Sequence, residues 1–279
     1  MLKTSALKVL GPESIGAVVE LLDRDPAANV FVASRVHGSG LQGWRIGGEL
    51  WGWYESGDLV SLCYVGANLA PVSATPAAIE AFADRARRQG RRSSSLVGPA
   101  DQVLALWEQL APWWGPAREE RRHQPLMVTD RSPSVPADPA VRRVRPDEVD
   151  LLLPACVAMF TEEVGVSPLQ HDGGRLYRMR VEELVRSGRA FARIDDGEVL
   201  FKAELGAVSP HASQVQGVWV PPALRGRGLA EPGMAAVVAL ALEVAPLVTL
   251  YVNDFNQAAR ATYRRVGFVE RGTFASIMF

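Results

Sequence analysis

Val218-Trp-Val-Pro-Pro-Ala-Leu-Arg225-Gly226-Arg227-Gly228-Leu229-Ala230 is the stretch whose reading decides the fold. An apolar strand ends in a turn of alternating arginine and glycine, and a long apolar helix, about 226–244, follows directly. A helix N-terminus exposes unpartnered N–H groups and carries partial positive charge, so it attracts phosphate. Glycine removes the Cβ that would hold a pyrophosphate away from those N–H groups. Arg225 and Arg227 supply counter-charge, and Pro232, in the first helical turn, loses no intrahelical bond. Taken alone, the turn could equally be an ordinary strand-to-helix connection with surface arginines. Two other phosphate loops are excluded. No Gly-Lys-Ser/Thr is present, and Glu231 stands where a dinucleotide loop needs its third glycine.

With the strand before it, the turn fits the Q/R-x-x-G-x-G/A signature, with Arg225, Gly228 and Ala230 at the three fixed positions. Over residues 141–279 the chain resembles the GNAT family of acyl-CoA-dependent N-acyltransferases. The resemblance implies that main-chain N–H groups from Arg225 through Gly226, Arg227, Gly228 and Leu229 to Ala230 hold the CoA pyrophosphate. It also implies that the backbone of Val218, Trp219 and Val220 pairs with pantetheine. Gly217, inside that strand, is where a bulge is expected. Such a bulge would splay the sheet and leave backbone groups for the cofactor's amides.

A second block runs Leu250-Tyr-Val-Asn253-Asp-Phe-Asn256-Gln-Ala-Ala-Arg-Ala-Thr-Tyr263-Arg-Arg-Val-Gly267-Phe268. Asn256 is a favoured N-cap, and Gly267 reads as the glycine just past a helix end. Tyr263 lies two turns after Asn256 on the same face. Tyr263 could simply pack the helix on the sheet. The family resemblance implies instead that Asn256 contacts pantetheine and that Tyr263 is the general acid toward the departing thiolate. A phenol, pKa about 10, can protonate a thiolate whose conjugate acid has pKa about 8.5, help worth roughly 10²–10⁴-fold.

The general base is less defined. Some family members carry a glutamate on the strand before the glycine loop, where this chain has Gln214 and Gln216. Glu204, on the previous strand, and Glu162 or Glu163, after the first helix, are substitutes, and a water chain is an equal alternative. Phe160–Pro168 occupies the family's acceptor-binding loop region, or is a solvated acidic loop.

Composition bounds the rest. With 279 residues the chain is long enough for two cores. Lys+Arg is 30 and Asp+Glu 31, so no global field draws it to nucleic acid or to an anionic membrane. Hydrophobic residues at 48% and charged residues at 22% are globular values. Lysine occurs only at 3, 8 and 202, a bias toward arginine that codon usage explains. Cys63 and Cys156 allow neither a disulfide framework nor a zinc knuckle. The histidines at 37, 123, 171 and 211 have no metal-ligand spacing, so no metal is expected. The first sixteen residues lack a signal peptide's apolar core, and Met234–Leu242 is too short to span a bilayer. A cytoplasmic protein is expected.

Arg131-Ser-Pro-Ser-Val-Pro-Ala-Asp-Pro-Ala140 reads as a stiff linker. It divides the chain into 1–130, 131–140 and 141–279. Before it, the signals give a helix at 15–22, a hairpin 49–53/59–65 turning at Ser56-Gly57, a helix from Thr75-Pro76, a strand at 94–97 and a helix at 101–110. After it come a strand at 141–145, helices at 147–160 and 174–187, a hairpin 190–194/199–208, a strand 214–220, the long helix, a strand 247–252, a helix 257–266, and closing strands near 268 and 273–279. The recurring order suggests one unit used twice. The fold class is α/β, with a mixed, mostly antiparallel twisted sheet flanked by helices in each half. The first half has no RxxGxG/A where Tyr64–Pro76 runs, so it resembles the degenerate half of a tandem GNAT protein. Trp44, Trp51, Trp53, Trp107, Trp113 and Trp114 all fall there, as packing or as an aromatic acceptor pocket. The expected activity is N-acetyl transfer from acetyl-CoA, the cosubstrate, to an amine by direct attack. The acceptor is a small molecule or a protein lysine or N-terminus, and the protein is a monomer or homodimer without nucleic-acid or membrane partners. The alternative is a non-catalytic acyl-CoA sensor.

Overall fold

The structure is a computed structural model that describes residues 6–170 and 172–279. Residues 1–5, which include Lys3 and part of the stretch read for a signal peptide, and His171 lie outside the described residues. The first half forms β1 (Leu7–Val9), α1 (Ile15–Asp23), α2 (Pro26–Ser39), α3 (Gly43–Ile46), β2 (Gly48–Glu55), β3 (Asp58–Gly66), β4 (Asn68–Val72), α4 (Pro76–Gln89), β5 (Ser95–Pro99), α5 (Ala100–Trp114) and β6 (Glu119–Thr129). The second forms β7 (Arg142–Arg143), α6 (Val149–Val164), α7 (Arg175–Arg186), β8 (Ala190–Asp195), β9 (Glu198–Val208), β10 (Ser213–Trp219), α8 (Ala230–Leu242), β11 (Val248–Tyr251), α9 (Gln257–Val266) and β12 (Val269–Met278).

Local chemistry explains many boundaries. The β2–β3 hairpin turns on Ser56 (φ 52°) and Gly57 (φ 98°), and the β8–β9 hairpin on Asp196 (φ 49°) and Gly197 (φ 79°). Both have the two positive φ angles of the tight turn that matches strand twist. Helix α4 starts at Pro76 behind Thr75, whose hydroxyl accepts from Ala78 N–H.

The chain makes two compact units. The first gathers the chain up to Met127, Tyr251–Asn256 and Glu270–Phe279; the second holds Val128–Leu250 and Gln257–Val269. In the first unit the strand order is β1-β2-β3-β4-β5-β12-β6. The β4–β5 pair is parallel, whereas β1 to β4 and β5–β12 pair antiparallel. One core joins the sheet to α1 and α2 through Leu21, Leu22, Val36 and Leu62. Another joins it to α4 and α5 through Trp51, Phe82, Leu106 and Ile277.

In the second unit the order is β11-β10-β9-β8-β7, antiparallel except for β10–β11. Side chains alternate along β9. Phe201 is buried against α8, where Gly233 leaves its ring space, and Lys202 points to the opposite face near Met159 of α6. Leu152 and Cys156 of α6 pack with Val181, Leu184 and Val185 of α7 on β8. Burying one side chain the size of Phe201 stabilises by about 1.5–3 kcal/mol. The proline-rich segment is fastened to this unit: Ser134 N–H donates to Val266 O (2.9 Å), and Asp138 N–H to Pro232 O (3.0 Å).

Several expectations need correction. The strand at 141–145 pairs only over Arg142–Arg143, because Val141 and Val144 turn inward and a 3₁₀ turn starts at Pro146. The expected loop from Phe160 is helical to Val164, ending on Gly165 in the left-handed region. Helix α8 begins at Ala230, not Gly226. One strand, β12, replaces two closing strands, with Phe268 buried where α9 ends. Trp51 and Trp107 are buried, but Trp44 is 80% and Trp113 69% exposed, each beneath a guanidinium, Arg45 and Arg87. Packing therefore does not account for all six.

Candidate functional site

Strands β10 and β11 pair only at Ser213↔Val248 and Gln214↔Thr249, while β10 continues to Trp219. On its other side, Gln216 faces Glu204 and Trp219 faces Lys202. Gly217 and Val218 together oppose Ala203 alone, which is the two-against-one count of a β-bulge. Gly217 takes φ +62°, and a methyl group there would lie 3.0 Å from Lys202 Nζ, 3.1 Å from Met159 Cε and 3.2 Å from Glu204 Cδ. Both conformation and space demand glycine. The bulge lies in the stretch of β10 beyond its last pairing with β11.

After β10 the chain passes through a 3₁₀ turn, Pro222–Leu224, into Arg225-Gly226-Arg227-Gly228. Gly226 and Gly228 have φ +75° and +79°, and a methyl group on either would meet nothing within 4 Å. Among the described residues, no side chain caps α8. The start of α8 thus lacks a side-chain cap beside two uncrowded glycines, with exposed Arg227 between them. Arg225 behaves differently. Its Nη1 and Nη2 donate to the two oxygens of Glu162, both at 2.6 Å, and its Nε to Val220 O at 3.1 Å. Its main-chain N–H already donates to Pro222 O. Hydrogen bonds from Arg225 hold the Glu162 carboxyl below the usual range, and Trp219 Nε1 adds a donor at 3.3 Å. Glu162 is accordingly a poor proton acceptor.

Behind the bulge lies a buried polar cluster. The Glu204 carboxylate meets Lys202 Nζ at 3.3 Å, Gln216 Nε2 at 2.8 Å and Arg180 Nη2 at 3.7 Å. Burial opposes its charge, but Lys202, Arg180 and Gln216 outweigh burial and keep the carboxyl below the usual range. Burial likewise opposes the charge on Lys202, and Glu204 restores it. The pair is therefore ionised, and Glu204 is a weak base. Tyr177 donates its hydroxyl hydrogen to Cys156 O at 2.9 Å. Tyr263, on α9, is buried; burial first, then the charge of Glu163, pushes its phenol up, so it keeps its proton throughout the neutral range. Glu163 sits at the exposed end of α6, and its charge reaches both phenols.

Residues 159–268, which hold this geometry, match the model of the acetyltransferase (GNAT) family. This part of the chain belongs to the GNAT family. It is thereby one of a family that transfers acyl groups to amines. Residues 48–152 match a domain of unknown function, DUF4081. Solved structures extend the likeness over both halves. A GNAT-family acetyltransferase from Colwellia psychrerythraea is 14% identical, over 98% of this chain and 99% of that one, with TM-score 0.55. A GCN5-related N-acetyltransferase from Sphaerobacter thermophilus is 15% identical over 98% and 95%, with TM-score 0.56. A tandem GNAT protein from the clavulanic acid biosynthesis pathway is 15% identical over 98% of both chains, with TM-score 0.55. At these identities the likeness shows the fold. Among curated proteins none matches.

The first unit lacks the open cradle. At the start of α4, Ala74 N–H donates to Gln102 Oε1 (2.9 Å), Thr75 N–H to Ser61 Oγ (3.1 Å) and Ala78 N–H to Thr75 Oγ1 (3.3 Å). The unit's own side chains thus occupy backbone donors at the start of this helix. Asn256 directly precedes α9, and its N–H donates to Asn253 O at 3.0 Å. Sequence reading missed what braces this loop. Buried Gln124 donates to Asn253 Oδ1 at 2.9 Å and accepts from Ser276 Oγ at 2.7 Å. Only a glutamine at the border between charged Glu119–His123 and apolar Pro125–Val128 hinted at it. Among the described residues no three of His, Cys, Asp and Glu gather as metal ligands, and no helix is long and apolar enough to cross a membrane.

Proposed function

We propose that the chain is an N-acetyltransferase that uses acetyl-CoA and passes the acetyl group to an amine by direct attack. The observation that carries this reading is the uncapped start of α8 behind Gly226 and Gly228, next to a β10 edge parted from β11. Open space at the two glycines, a helix start without a side-chain cap and a nearby cation fit a pyrophosphate, and a strand edge parted from its neighbour fits an amide-bearing arm.

Acetyl-CoA, when bound, supplies the acyl thioester. The N–H groups from Gly226 to Ala230 hold the pyrophosphate, with Arg227 adding charge and Arg225 tying the loop to α6 through Glu162. Backbone groups of Val218, Trp219 and Val220 align the pantetheine arm, and a β10 N–H stabilises negative charge growing on the acyl oxygen. Asn256 contacts pantetheine. As the amine nitrogen bonds to the acyl carbon and the carbon–sulfur bond breaks, Tyr263 gives its proton to sulfur. Glu163 takes the proton leaving the amine, and Glu204, fixed by Lys202, keeps the floor of the acceptor side in place. Water then returns the Glu163 proton to the phenolate.

Thiol release from acetyl-CoA with a panel of amines, alongside calorimetric binding, tests the reading. Turnover with at least one amine is expected. Tight CoA binding with no turnover for any amine would replace it by a non-catalytic acyl-CoA sensor.

A further inference from the structure

Glu204 is one carboxylate facing two cations. Lys202 Nζ is 3.3 Å away on a side chain only 1% exposed, and it neutralises Glu204. Arg180 reaches the same carboxylate only at 3.7 Å and keeps 47% of its side chain exposed. Its neighbours on α7 are bound more closely. Arg178 lies between Asp150 (2.8 Å) and Glu182 (2.9 Å), and Arg186 is on Glu183 (3.0 Å). Arg180 therefore leans on a carboxylate already compensated, and the cluster carries one surplus positive charge at its exposed rim.

That rim borders the reacting position. The Glu204 carboxyl that Arg180 touches is 3.2 Å from where a methyl on Gly217 would lie, immediately under the β10 bulge. Tyr177, three residues before Arg180 on α7, experiences both the negative charge of Glu163 and the positive charge of Arg180. An acceptor reaching the bulge therefore comes near the half-exposed Arg180 guanidinium, with the charge of Glu163 acting on the same Tyr177. This pairing matches a molecule that carries an amine and a carboxylate a few bonds apart. A guanidinium binds a carboxylate through two parallel N–H bonds, which a compact ammonium cannot do.

Building on the acyltransferase reading, we propose that Arg180 binds a carboxylate on the acceptor, and that the acceptor is a small amine of the amino-acid class. The amine points to the bulge and Glu163, while the carboxylate rests on the guanidinium. A protein lysine, cationic and without a carboxylate at that distance, meets only repulsion from Arg180.

The test uses the full chain at saturating acetyl-CoA, with free amino acids, the matching amino-acid amides and an end-blocked lysine peptide as acceptors. Amino acids should exceed their amides about 30-fold in kcat/KM. Arg180→Met should erase that preference by raising the KM of the acid about 30-fold, with kcat and acetyl-CoA affinity nearly unchanged. Arg180→Lys should recover part of it, and Arg180→Glu should favour amides. Equal use of acids and amides by the wild type, or an unchanged acid-to-amide ratio in Arg180→Met, overturns the proposal while leaving the acyltransferase standing. No turnover with any acceptor overturns the acyltransferase reading itself, and this proposal with it.

Discussion

Arg225 and Glu162 face each other through two hydrogen bonds of 2.6 Å, so the first cation of the glycine loop is turned to the protein instead of outward. Exposed Arg227 is then the loop's side-chain charge toward a phosphate. Arg227→Ala should weaken acetyl-CoA binding about five- to tenfold at low ionic strength. The deficit should shrink in 0.5 M salt, since exposed charges are screened. Calorimetric titration at two salt concentrations checks this; a salt-independent loss would mean the residue shapes the loop.

Two glycines should respond differently to the same added methyl. Gly228→Ala places it in open space at positive φ, costing about 1–2 kcal/mol of backbone strain. Acetyl-CoA affinity should fall tenfold or more, with a melting shift of only a few degrees. Gly217→Ala adds a clash with Lys202, Met159 and Glu204 to the same strain, so it should lower the melting temperature clearly further. Thermal melts beside binding titrations separate the two; matching melting shifts would argue against a crowded bulge.

Tyr263→Phe keeps the ring against Phe268, 6.0 Å away between centroids, and removes only the hydroxyl. Turnover should drop about 100-fold, the scale of a lost general acid, with acetyl-CoA affinity within twofold. Parallel loss of binding and turnover would assign the residue to packing.

Glu148 predicts a pH dependence. Arg142 grips it with two bonds of 2.7 Å, and with Arg145 N–H assisting, its carboxyl is held at about 2 against 4.5 in the unfolded chain. A depressed carboxyl stabilises the fold fully above pH 4.5, and that contribution disappears as pH falls toward 2. It amounts to up to about 3 kcal/mol. Melts of Glu148→Gln and wild type should differ by several degrees at pH 7 and converge near pH 2; a constant gap would sink the assignment.

The filled donors at the start of α4 predict one acetyl-CoA per chain. Calorimetry on the full chain should give a stoichiometry of one, abolished together with activity by a disabling substitution at Gly228. Two sites would mean that Gln102, Ser61 and Thr75 yield to a phosphate. The full chain is needed, because a piece ending at residue 130 lacks two segments of the first unit.

Much of this was legible in the sequence, for local reasons. Thr75-Pro76, Ser56-Gly57 and Asp196-Gly197 dictate their own backbone, and Gly217 marks a bulge because few other residues tolerate it. Helix α2 was hidden because small and polar residues spread around it leave no clear apolar stripe. Strand β6 was hidden by its charged first half, Glu119–His123, ahead of its apolar end. The site's charge balance was harder still. Arg225, Glu162, Lys202 and Glu204 are visible as letters, but which cation meets which carboxylate depends on packing of α6 and α7 over β9. Glu204 looked like a base from its strand position, and only its contact with Lys202 shows it to be a held anion.

The late entry of β12 has a consequence for synthesis. In the first unit this strand lies between β5 and β6, so the sheet begun by β1 to β5 stays incomplete until β12 is made. At ribosomal speeds of about 5–20 residues per second, the edge of β5 that awaits Phe274–Met278 remains open for roughly ten to thirty seconds. Nascent chains of this protein should therefore be clients of holding chaperones for most of their translation. A premature stop anywhere before Val269 would deprive both units of their final form, not the second alone.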